Sequence, residues 1–137
     1  VYNKMIDNRY IRGYDMRLGT DIIEIDRIKR AIDRSDRFRL RVYTEREIAY
    51  CESKQTGVYQ SYAGIYAAKE AFLKALGTGL RSGSWQDIEV CHDEFGAPFL
   101  SITGAFKKII QERMYTECIV SISHCRSYAM STVIIEG

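Results

Sequence analysis

Three side chains, Asp21, Glu70 and Lys74, have the types and placement for phosphoryl chemistry. Glu70 and Lys74 lie four residues apart in Ala67-Ala68-Lys69-Glu70-Ala71-Phe72-Leu73-Lys74, a run of good helix formers, so they share a helix face one turn apart. Asp21 follows Gly19-Thr20 in an apolar, strand-like run and can lie beside that face. An Asp and a Glu side by side suit a hard cation such as Mg²⁺, which takes its remaining ligands from water and substrate phosphate. A lysine one turn away then meets the phosphate. Taken singly, each residue has a plainer use: Asp21 as a turn or cap residue, Glu70–Lys74 as a surface ion pair worth about 0.3 kcal/mol.

Two further segments can join such a site. Gly77-Thr78-Gly79 can present backbone N–H groups to a phosphate, or simply cap the helix before it. His124 ends the apolar run Ile119-Val120-Ser121-Ile122-Ser123, where it can touch a phosphate, orient a catalytic group, or serve the fold alone. The chain has no P-loop lysine pattern, no GxGxxG and no Gly-x-Ser-x-Gly elbow, which argues against ATP, NAD or acyl-enzyme chemistry by those routes.

The elements that must position these residues follow from periodicity. Leu18 to Ile23 reads as a strand, and Ile25, Ile28 and Ile32 start a helix with Asp26 in its first turn. Thr44 and Glu47 form a capping box for a short helix ending near Ser53. A long helix is expected over 61–76, with Tyr62, Ile65, Phe72 and Leu76 inward. Ile88 to Cys91 and Phe99 to Ile102 form a hairpin whose second strand starts after Pro98. Gly104 to Met114 is helical, with Phe106, Ile109 and Ile110 inward. Strands Cys118 to Ser123 and Tyr128 to Ile135 flank a turn at Cys125-Arg126-Ser127. Helices with mostly antiparallel strands in this order give an α+β fold.

The chain's 137 residues make one domain, with 46% hydrophobic and 28% charged residues. Residues 1–15 lack clear periodicity and read as an N-terminal extension to a core over 16–137. No apolar run approaches the roughly 20 residues of a membrane span, and the first residues do not resemble a secretory signal. The four cysteines show no CxxC pairing, so a zinc site is not expected, and reduced thiols in a cytoplasmic protein are. The net charge of +2 hides a local bias: between Asp26 and Arg41 seven basic residues face three acidic ones. That stretch is either a solvated helix face or a dock for an acidic partner. With Phe38 and Tyr43 it also allows an alternative, a small RNA-binding module without catalysis.

In order, these segments resemble the holo-acyl-carrier-protein synthase family, the small bacterial 4′-phosphopantetheinyl transferases. The resemblance rests on Gly19-Thr20-Asp21 with its apolar strand, and on Tyr66-Ala67-Ala68-Lys69-Glu70-Ala71 with Lys74 and Ala75-Leu76-Gly77-Thr78-Gly79. Trp85 to Val90, Gly96-Ala97-Pro98 and Ser121-Ile122-Ser123-His124 complete it. It implies an α+β phosphopantetheinyl transferase fold and transfer of 4′-phosphopantetheine from coenzyme A to a serine of apo-acyl carrier protein. Adenosine 3′,5′-bisphosphate leaves, and the product serves fatty acid biosynthesis. It implies Mg²⁺ held by Asp21 and Glu70, with Asp21, Glu70 and Lys74 catalytic. The base is Glu70 or a water on the metal. Coenzyme A would lie against Lys74, Gly77, Thr78, Gly79 and His124, and the carrier against Arg27 and Arg30. Homotrimers with interfacial active sites are also implied. Two positions depart from the family pattern: Ile65 stands where a basic residue is usual, so Arg81 or Lys54 would have to supply its contact, and Cys125 follows His124 where Ser or Thr is common.

Overall fold

The computed structural model describes residues 15–137. Its elements are β1 (Met16–Glu24), α1 (Ile25–Arg34), α2 (Asp36–Val42), α3 (Glu45–Glu52), α4 (Val58–Leu76), a 3-10 turn (Trp85–Asp87), β2 (Ile88–His92), β3 (Pro98–Ile102), α5 (Gly104–Glu112), β4 (Glu117–His124) and β5 (Tyr128–Glu136). β1, β5 and β4 form an antiparallel sheet in that order, and β2–β3 is a separate hairpin whose β3 lies beside β4. The α+β architecture expected from the sequence is therefore present.

The organising element is α4, buried on nearly every side and packed on β1 and β5. Tyr62, Ile65, Phe72 and Leu76 are all inward, as expected. The alanines between them keep the rest of the helix narrow enough for strands to approach. Gly19 is the closest of these approaches. A Cβ built there would fall 1.9 Å from the Ala71 carbonyl oxygen and 2.5 Å from the Ala75 nitrogen, so only glycine fits. The two-residue period of β1 then points Asp21 and Ile23, like Gly19, toward α4, and leaves Leu18 and Ile22 outward.

Local signals placed most boundaries. The capping box is real: Glu47 N donates to Thr44 Oγ1 at 3.2 Å, and Thr44 N to Glu47 Oε1 at 2.8 Å. Gly77 caps α4 at φ 79°, its N–H donating to the Leu73 carbonyl at 2.9 Å. The strands run one or two residues beyond their expected ends, β1 starting at Met16, and the helices differ in three places. α4 starts at Val58, three residues early, behind Gly57 at φ 85°. α5 stops at Glu112, where Met114 turns to φ 60°. The basic stretch is two helices, broken where Ser35 is extended. Ile109 and Ile110 are only half-buried.

Asp15 is tied to the core. Its carboxylate accepts from the Tyr115 hydroxyl at 2.7 Å and pairs with Arg17 at 3.3 Å, and its carbonyl accepts from Gly137 N at 3.2 Å. The rest of the expected extension, 1–14, lies outside the described residues. The four cysteines are free, and among the described residues no helix is long and apolar enough to cross a membrane.

Candidate active site

The close approach at Gly19 sets Asp21 of β1 against the second half of α4. Lys74 Nζ donates to Asp21 Oδ1 at 2.9 Å and to the Thr20 carbonyl at 3.1 Å. The ion pair of Lys74 thus crosses from helix to strand instead of running along α4 to Glu70. This is more than surface decoration: Asp21 keeps 14% of its side chain exposed, while the lysine head remains more than half open at 53%.

Glu70 lies one turn before Lys74, half-buried. Partial burial is the chief cause that pushes its carboxyl above the usual range, and the Asp21 charge adds to the push. Lys74, the Tyr66 hydroxyl and Arg27 oppose it. Two neighbouring carboxylates that resist sharing negative charge form a donor set suited to a divalent cation. Asp21 and Glu70 therefore fit Mg²⁺, with the other positions left to water and phosphate. Among the described residues no group of three His, Cys, Asp or Glu side chains gathers to hold a metal by itself.

Glu70, Lys74, Gly77 and Gly79 line one depression with Leu73 and Leu80. Thr78 is half-buried, and its hydroxyl donates to the Gly79 carbonyl at 2.9 Å, within its own loop. His124 is not in this depression. It ends β4 and lines a second cavity with Ile65, Gly64, Tyr50, His92 and Pro98. In a single chain, the residues expected to contact coenzyme A are thus divided between two sides of α4. Ile65 is 1% exposed, a hydrophobic wall of the His124 cavity. Lys54 stands near that cavity, 4.4 Å over the Tyr50 ring, which stacks on His92 at 3.8 Å. Arg81 is exposed and lines neither cavity.

Arg27 projects from α1 beside this cluster, close enough for its charge to act on both Glu70 and Tyr66. Arg30 pairs with Asp26 at 3.4 Å, and Arg39 with Asp36 at 3.0 Å and Glu52 at 3.5 Å. Among the described residues Arg34, Arg37 and Arg41 are exposed and have no ion-pair partner, so three basic side chains of the stretch stay free.

Sequence reasoning missed Tyr66 and the pair Lys69–Glu47. Tyr66 is wedged between Phe38, at 6.0 Å, and Trp85, at 5.3 Å. The helical spacing of Tyr66 and Glu70 was a usable signal. Lys69 is fully buried and bonded to Glu47 at 2.6 Å. It falls on the stripe Tyr62, Ile65, Lys69, Phe72, Leu76, where a charge is out of place, and that too was readable.

Comparison with known proteins gives consistent matches. Residues 17–133 match the family model of the 4′-phosphopantetheinyl transferase superfamily. The holo-[acyl-carrier-protein] synthase of Ruminiclostridium cellulolyticum is 46% identical over 123 residues, 88% of this chain and 92% of that protein. The Helicobacter pylori holo-[acyl-carrier-protein] synthase in complex with coenzyme A superposes with a TM-score of 0.76 at 30% identity, over 86% of this chain and 98% of that one. The Neisseria meningitidis holo-[acyl-carrier-protein] synthase superposes with a TM-score of 0.80 at 31% identity, over 88% of this chain and 98% of that one. The basic stretch lies inside these matches, and the alternative reading as an RNA-binding module finds no support.

Proposed function

Since the chain belongs to the 4′-phosphopantetheinyl transferase superfamily, we propose that it acts as a holo-[acyl-carrier-protein] synthase at the Asp21–Glu70–Lys74 cluster. The serine oxygen of an apo-carrier attacks the phosphorus of coenzyme A that bears the pantetheine arm. The bond from that phosphorus to the bridging oxygen breaks, the serine gives up its proton, and adenosine 3′,5′-bisphosphate leaves. The observation that carries this reading is the meeting of Asp21 and Lys74 at 2.9 Å beside a Glu70 whose carboxyl is pushed up.

Asp21 and Glu70 would hold Mg²⁺, which when bound neutralises charge on the diphosphate and orients it. Glu70 or a water beside it would accept the serine proton. Lys74 is open enough to swing from Asp21 to the leaving phosphate oxygen and stabilise it. Gly77 and Gly79 border the same depression, with the Gly77 N–H already taken by the Leu73 carbonyl. Arg27 sits where an acidic carrier would approach the cluster, with Arg34, Arg37 and Arg41 free in the same stretch; Arg30 contributes less, being paired with Asp26.

The sheet's outer face supports assembly into a trimer. Leu18 and Ile22 are 63% and 66% exposed, and Ile119, Tyr128 and Met130 stand on the same uncovered side. A second copy of the chain across that face can bring its His124 cavity to the Glu70 depression, uniting the two halves of the coenzyme A site.

The test is incubation with coenzyme A, Mg²⁺ and an apo-carrier, followed by mass spectrometry of the carrier. One added phosphopantetheine on a serine is expected, and none with Glu70→Gln. An unmodified carrier in the presence of folded protein refutes the reading.

A further inference from the structure

The buried stripe of α4 places a lysine among Tyr62, Ile65, Phe72 and Leu76. The Lys69 ammonium donates to Glu47 Oε1 at 2.6 Å, the Val42 carbonyl at 2.6 Å and the Trp85 carbonyl at 3.1 Å, which uses all three of its hydrogens. Glu47 is equally buried. It also accepts from Thr44 N at 2.8 Å and Val90 N at 2.8 Å. One ion pair therefore ties α4 to the end of α2, the start of α3, the 3-10 turn and β2.

Stability does not require this arrangement, since well-packed apolar residues hold such a place as well as or better than a buried ion pair. What three directed hydrogen bonds add is orientation. They set the rotation of α4 about its axis and its position along it. The next residue, about 100° around the helix, is Glu70. On that side β1 cannot follow a turning helix, because Gly19 already rests on the backbone of Ala71 and Ala75. A small rotation of α4 would carry Glu70 away from Asp21 with nothing to compensate. Trp85, whose carbonyl receives Lys69, also packs its ring on Tyr66, the residue one turn before Glu70.

Resting on the transferase reading of Asp21 and Glu70, we infer that Lys69 is a positioning residue: through its buried pair with Glu47 it aims Glu70 at Asp21, so that both carboxylates meet one divalent cation. The pair Lys69→Met/Glu47→Gln removes both charges and leaves one side-chain oxygen to accept from one of the two backbone N–H groups, Thr44 or Val90; Lys69→Arg keeps the charge. Three quantities are read on each full-length protein: melting temperature, Mn²⁺ binding to the resting enzyme by electron paramagnetic resonance, and kcat with KM for each substrate. The double variant should fold, bind Mn²⁺ about 10-fold more weakly and lose about 10- to 100-fold in kcat, with KM for the carrier nearly unchanged. Lys69→Arg should recover part of both losses. A folded double variant with native Mn²⁺ affinity and kcat, beside an inactive Glu70→Gln, overturns the positioning role alone. Failure of both variants to fold overturns it too, since the pair would then hold the chain together instead of aiming one carboxylate. Full Mn²⁺ binding and turnover in Glu70→Gln overturns the site assignment itself, and the inference with it.

Discussion

Glu70 carries a sign that can be measured. Its folded carboxyl sits above the ordinary range because burial and Asp21 disfavour its charge. A group raised on folding stabilises the protein below its unfolded value, and that contribution is lost as pH rises through the raised folded value. Relative to Glu70→Gln, the metal-free protein should therefore lose melting temperature as pH rises through and just above about pH 4 to 5. Mg²⁺ should flatten that difference by binding the ionised pair, and Glu70→Gln should abolish the Mg²⁺ response while keeping whatever slope Glu47, also raised by burial, contributes. Identical slopes in the two proteins would assign the effect to another carboxylate. Lys74 is the complementary case. Its pair with Asp21 is half open to solvent, so Lys74→Ala should cost about 1 kcal/mol or less of stability. Loss of a charge stabiliser on the leaving diphosphate should cut kcat/KM by about 100-fold. A large drop in melting temperature with intact kinetics would make the lysine structural. Asp21, Glu70 and Lys74 were readable because strand and helix periods fix their faces. That Lys74 bonds Asp21 was not readable, because the two are 53 residues apart and meet only through tertiary packing.

The elements explain why Gly19 stands two residues before Asp21. A methyl at Gly19 would collide with backbone atoms of Ala71 and Ala75, which cannot rotate aside, so β1 and α4 must separate. Gly19→Ala should cost about 3 kcal/mol, lower the melting temperature by roughly 10 °C, and reduce activity further by pulling Asp21 from Lys74. Gly77→Ala is the control. Its Cβ would meet nothing within 4 Å, so only the φ of 79° is strained, at about 1 kcal/mol. Equal losses at the two sites, measured by thermal unfolding, would mean that the helix–strand contact is softer than its geometry. Elements with local signals, such as the Thr44 cap, the Gly77 stop and the hairpin, were legible in the sequence for that reason. The break between α1 and α2 was not. Ser35 is of a favoured N-cap type, but its side chain makes no capping bond that would mark a boundary. Lys69 was visible on its stripe, but its partner Glu47 read only as half of a capping box, a role it also fills.

For the whole molecule, the decisive feature is that the residues expected to grip coenzyme A lie on two sides of α4. Ile65, which lines the His124 cavity, and Glu70, which lines the other depression, are five residues apart, about 140° around the helix. One chain therefore presents the expected coenzyme A contacts in two separate depressions. Sequence patterns show each half but not their union, since under the proposed assembly the second half belongs to another copy; a local hint is the outward face of β1, where Leu18 and Ile22 are exposed. If neighbouring subunits complete each other, a trimer of Glu70→Gln chains has every His124 side intact and no working metal side. A trimer of His124→Ala chains has the reverse. Each should be nearly inactive. Unfolding and refolding the two together lets chains mix, and roughly a quarter of the interfaces should then pair an intact Glu70 with an intact His124. Activity should return to about that fraction of the native value in the mixed sample, and not when the two proteins are merely combined without refolding. Ile22→Glu on the sheet's outer face should prevent both assembly, read by sedimentation, and the recovery. If refolded mixtures stay as inactive as their parents while native protein refolds with full activity, each site is built within one chain and the two cavities serve separate purposes.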